Sequence, residues 1–62
     1  ALERAREIIE RAEKKFGGGE AWDARMLTQS AAKILYGLPG GDPRVRELNR
    51  RAGDLLERVM RD

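Results

Sequence analysis

GLPGGDPRV, residues 37–45, divides the chain in two. A helix arriving from the N-terminal side must stop here. Gly37 can cap it, Leu38 can fold back onto its last turn, and Pro39 forbids its continuation. A new helix must start here as well. Asp42 is a good acceptor for an orphan backbone amide, and Pro43 suits the first helical position, where a missing N–H goes unnoticed. A second break, Gly17-Gly18-Gly19, follows Lys14 and Lys15, cations that complement the negative end of a helix in its last turn.

The two breaks leave three segments, and each carries apolar residues at helical spacing. The first, ALERAREIIERAEKKF, sets Leu2, Ala5, Ile9, Ala12 and Phe16 on one stripe with Ile8 on its flank. The last, PRVRELNRRAGDLLERVMRD, does the same with Val45, Leu48, Ala52, Leu55 and Val59, with Leu56 beside them. In the middle segment Ala24, Leu27, Ala31, Ile34 and Leu35 cluster within about 100° of arc. Helices over about residues 2–16, 20–36 and 43–61, joined by short loops, predict antiparallel neighbours. The expected fold is all-α, an up-down-up antiparallel three-helix bundle forming one domain over residues 1–62.

Sixty-two residues lie near the lower limit for a domain without cross-links, and the chain has neither Cys nor His. No disulfide supports the fold. A zinc site is not expected, and the usual proton-transfer group near neutral pH is missing. No apolar run approaches the ~20 residues of a membrane span. Glu3 and Arg4 interrupt any signal-peptide pattern at the start. The net charge of +2 and pI near 9.5 raise the question of nucleic acid. The distribution answers it, because the arginines of the last segment alternate with acids. Glu47–Arg51, Asp54–Arg58 and Glu57–Arg61 are all spaced i,i+4 with the acid first, the favourable order on a solvated helix. A phosphate-binding face would show a cationic stripe instead. Neither nucleic acid nor membrane is an expected partner.

The middle segment is different. Between Glu20 and Tyr36 the only charged residues are Glu20, Asp23, Arg25 and Lys33, whereas both flanking segments are charged at half their positions or more. Opposite its core stripe, Trp22, Met26, Gln29, Lys33 and Tyr36 form a second face at i, i+4, i+7, i+11 and i+14. One reading has these side chains cover the domain's own ends, Trp22 over the glycine loop and Tyr36 beneath Leu38. The other makes the face a docking surface, since Trp, Tyr, Met and Arg are the residue types enriched at protein interfaces. On that reading Trp22, Met26 and Tyr36 are the anchors, Gln29, Ser30 and Lys33 set the register, and Arg25 lies at the rim. Gly53, inside the third helix, costs about 1 kcal/mol relative to Ala and so calls for a reason. Either it lets a neighbouring helix approach, or it admits a partner's atoms, making the flank Asn49, Gly53, Met60 a second strip of the same surface.

An enzyme is not expected. Catalysis needs converging groups in a concave, partly dry pocket. Thr28 and Ser30 are the hydroxyls available, with no base beside them, and GGGE lacks the Gly-Lys-Ser/Thr that completes a phosphate loop. No cofactor is expected either.

Across its whole length the chain resembles de novo designed helical mini-binders. The resemblance is general rather than confined to one motif. It rests on three idealised helices, no Cys, a GDPRV helix start, and heavy use of Ala, Arg, Glu and Leu. It implies a rigid helix face presented to a protein target such as a receptor, with the other helices as scaffold, and an inhibitor where the covered surface is itself functional. A self-associating bundle and a scaffold without a ligand are the alternatives. Separately, VRELNRRAGDLLERV looks like the amphipathic death helix that inserts into the groove of anti-apoptotic proteins. Val45, Ala52 and Leu56 match three of its four apolar positions, and Gly53 and Asp54 match its small and acidic ones. Asn49 stands where that family has leucine, and the matching face overlaps the third helix's own core stripe.

Overall fold

Helix α1 (Leu2–Gly17) ends in a compact reversal that sets α2 (Ala21–Tyr36) antiparallel to it. Gly19 takes a positive φ of 85°, which an L side chain would resist. Its amide donates to the Phe16 carbonyl and the Glu20 amide to that of Lys15, the two bonds of a Schellman ending. Such an ending usually brings an apolar pair together. Here Lys15 and Glu20 form an ion pair at 3.4 Å in its place. The other break works differently from expectation. Gly37 caps α2 with a negative φ, and its amide and that of Leu38 close the last turn by tighter bonds to Ile34 and Leu35. Leu38 then packs against the core. Helix α3 (Pro43–Arg61) begins as expected, with Asp42 accepting from the Arg44 amide at 2.9 Å.

The computed structural model describes residues 1–61, and all three helix pairs are in contact, completing a three-helix bundle. Its core is seeded by alanines. Ala5, Ala12, Ala24 and Ala31 have no exposed surface at all. Ala5 and Ala31 belong to one end of the core, Ala12 and Ala24 to the other, as antiparallel alignment of α1 with α2 requires. Small side chains let the two backbones approach, and α2 packs more extensively against α1 than against α3. The bulk is supplied by Ile9 and Leu35 and, from α3, by Val45, Leu48, Leu55 and Val59, all buried. Leu2, Ile8 and Phe16 of α1 and Leu56 of α3 are half-buried at the margins.

The phase of α2 departs from the reading of its sequence at three residues. Leu27 and Ile34, expected in the core, are half-buried on its flank, and Thr28 takes the central position. The Thr28 hydroxyl, which the sequence offered as a free group, is buried and donates to the Ala24 carbonyl at 2.7 Å. A buried hydroxyl is tolerated when satisfied in this way.

The surface ion pairs also differ. Glu57–Arg61 forms at i,i+4 as expected. Glu47, however, takes Arg50 rather than Arg51, and Arg50 also reaches Asp54 at 3.5 Å. Arg51 turns across the groove to Glu13 of α1, making two hydrogen bonds at 2.7 and 3.3 Å. The contact raises the Arg51 pKa and helps close the α1–α3 seam.

Two outcomes check this packing. Leu35 is 1% exposed and its neighbour Tyr36 94%. Leu35→Ala should cost about 2–5 kcal/mol, comparable to the ~3–5 kcal/mol that a core of this size supplies. That variant is expected to lose most of its helical circular dichroism at room temperature, while Tyr36→Ala melts close to the parent. Equal losses would contradict the phase. At the α3 start, hydrogen bonds from Arg44 hold the Asp42 carboxyl below its ordinary 3.8. The stability it adds is therefore fully present above that value and is lost as pH falls through the lower folded value. Asp42→Asn keeps the cap acceptor and removes the titration. Acid unfolding followed by circular dichroism should show a shallower loss below about pH 4 in the variant than in the parent.

Candidate functional site

Every residue read from the sequence as part of a docking surface is exposed: Trp22, Arg25, Met26, Gln29, Ser30, Lys33 and Tyr36 on α2, and Asn49, Gly53 and Met60 on α3. The local cause is the phase of α2. Ala24, Thr28, Ala31 and Leu35 point inward, which turns the opposite face to solvent. The indole of Trp22 is 70% exposed and Met26 46%. Trp22 does not fold over the glycine loop, and Tyr36 does not tuck beneath Leu38. Neither ring covers the domain's own ends.

The two helices contribute to one surface because of how the bundle closes. α1 occupies one side of α3, as the Arg51–Glu13 pair shows. On the other side of α3, Met60 and Val59 meet Ala21, Trp22 and Arg25 of α2 around a shallow depression of about 270 Å³. Asn49, Gly53 and the half-buried Leu56 continue the Met60 stripe along this side at helical spacing. The site is thus the outer face of α2 together with the α2–α3 groove. Met26 and Ser30 lie on the edge of that face turned away from α3.

One of the two readings of Gly53 meets the structure directly. A Cβ built at this position meets nothing within 4 Å. No neighbouring helix uses the space, so the close helix packing offered as one explanation does not account for the glycine. The residue is an exposed helical glycine beside the groove, at a position where a Cβ would meet no neighbour.

Two features of the surface were not read from the sequence. Ala32 adds a further small exposed residue on the α3 side of the α2 face. Arg46 precedes Asn49 by three residues and extends the α3 stripe. The signal for both was present in the helical spacing, but it became useful only once the side of α3 facing α2 was known.

The death-helix likeness of α3 meets a structural conflict. Val45 and Ala52, two of its three matching apolar positions, are buried in the bundle's own core. That face is already occupied. Among the described residues no group of three carboxylates converges as a metal site would require. No helix of the described residues is long and apolar enough to cross a membrane. Comparison of the chain with protein-family models, with curated proteins and with solved structures finds no match.

Replacing Gly53 with Ala should stabilise the isolated chain by about 1 kcal/mol, the ordinary helical difference between the two residues. A raised melting temperature is the expected reading. A lowered one would mean that the glycine serves the bundle after all.

Proposed function

We propose that the chain is a protein-binding module of the designed mini-binder type, presenting the outer face of α2 to a protein target. Trp22, Met26 and Tyr36 anchor into apolar depressions on that target. Gln29, Ser30 and Lys33 fix the register, Arg25 contributes at the rim, and Asn49, Gly53 and Met60 line the second strip. Binding buries roughly 600–900 Å² on each partner, the low-to-standard range. The module carries out no catalysis and takes no cofactor.

The observation that carries this reading is the exposure of Trp22 and Tyr36 on a charge-poor face that the bundle leaves uncovered. Trp and Tyr supply large contact areas with few rotatable bonds, so they lose little entropy when a partner orders them. A scaffold selected only to fold has no use for them there. The helices most heavily charged, α1 and α3, carry the surface ion pairs, and the outer face of α2 carries none.

Trp22→Ala should weaken binding to the cognate target by about 2 kcal/mol or more, measured by titration calorimetry, with the melting temperature of the free chain nearly unchanged. A variant that melts much earlier than the parent would make Trp22 a structural residue and end the proposal.

A further inference from the structure

Resting on that reading, the charge layout of the α2–α3 surface points to its occupant. We infer that the groove takes an acidic partner segment: an apolar ridge bordered by carboxylates, lying along α2 and α3 and approaching closest over Gly53.

The acids of α3 are committed elsewhere. Glu47 and Asp54 pair with Arg50, and Glu57, at the border of the stripe, pairs with Arg61. Glu13 of α1 pairs with Arg51, and Glu20 with Lys15. What remains on the two-helix surface is Trp22, Arg25, Met26, Gln29, Lys33 and Tyr36 from α2, and Arg46, Asn49, Gly53, Leu56 and Met60 from α3. The acids that border it are Glu57, already held by Arg61, and Asp23, which shares with Met26 and Ser30 the edge turned away from α3. Arg25, Lys33 and Arg46 form no ion pair with any carboxylate among the described residues. Three cations around an apolar strip attract a partner of opposite sign and reject one of like sign.

The same layout disfavours a second copy of this chain. Antiparallel two-fold pairing of the α2 faces centres on Gln29, with Trp22 opposite Tyr36 and Arg25 opposite the second copy's Lys33. Both cationic contacts would then be repulsive, in a chain already carrying a net charge of +2. Gly53 adds the shape. The space beyond its Cα is empty, so an incoming backbone or large side chain can approach there more closely than at any residue with a Cβ.

The test pans a phage-displayed library of random linear peptides on the immobilised chain. Enriched peptides are synthesised and titrated against the parent and three variants: Trp22→Ala, Gly53→Leu, and Lys33→Glu with Arg46→Glu. Melting temperatures of all variants are measured first. Gly53→Leu is expected to fold, because a Cβ there meets nothing within 4 Å, the position is exposed, and leucine favours a helix over glycine. The inference predicts peptides with Asp or Glu on both sides of an apolar core. Their affinity should fall with added salt, and the charge-reversed pair and the Gly53→Leu variant should each weaken it about tenfold or more. Peptides that lose binding on Trp22→Ala but are neutral or basic, and indifferent to the other two variants, would overturn the inference and leave the docking face standing. Peptides indifferent to Trp22→Ala, or no enrichment at all, would overturn both. A concentration-dependent dimer of the parent chain in sedimentation would overturn the acidic occupant in favour of a second copy.

Discussion

The close approach of α1 and α2 over Ala5, Ala12, Ala24 and Ala31 is the constraint on which the rest depends. Methyl groups are small enough to bring the backbones together, and the Gly19 reversal, with its left-handed φ, makes the short antiparallel connection. Once α2 is held by its alanine side, its rotation about its own axis is set. α3 then brings the bulky Val45, Leu48, Leu55 and Val59 to fill the space those alanines leave. The opposite side of α2 has no helix left to meet it. In a bundle of three, each helix can bury one face, and α2 carries Trp22, Met26 and Tyr36 on a second one.

Much of this was visible in the residues. α3 buries the five positions its spacing predicted, because a single apolar stripe with charges elsewhere admits one phase. α2 was harder, since apolar residues surround most of it. The spacing favoured Leu27 and Ile34 over Thr28, yet the threonine is the more deeply buried. Its β-branched body fills a gap and its hydroxyl is satisfied by the carbonyl one turn back, which a polarity argument overlooks. Ion pairs were the least legible. An arginine side chain reaches partners at i+3, at i+4 or across a groove with similar ease, so the choice of Glu13 by Arg51 depends on where α1 lies. Of the candidate surface, the α2 face was readable as a face. That α3 completes it on one side, and that Gly53 borders open space there, required knowing how the helices are arranged.

The division of labour among the helices follows from the same geometry. Surface ion pairs add little stability each, and charged faces of mixed sign resist desolvation. On α1 and α3, Glu3–Arg6, Arg50 with Glu47 and Asp54, Glu57–Arg61 and the cross-helix Arg51–Glu13 join acids to bases. The α2–α3 side is left with cations, aromatic rings, methionines and one helical glycine that lowers stability. Each of these features is a cost or a neutral choice for folding, and the proposed binding role gives each a use.

Trp22 is the only tryptophan of the chain, so its fluorescence reports on this surface alone. Acrylamide quenching of the free protein, followed over a wide concentration range, addresses the central claim most directly. An indole standing outside the fold gives emission and quenching close to those of the unfolded chain in denaturant, independent of protein concentration. A blue-shifted, protected indole in the dilute folded chain would contradict the account, because it would place the ring inside the domain and leave α2 with no free face.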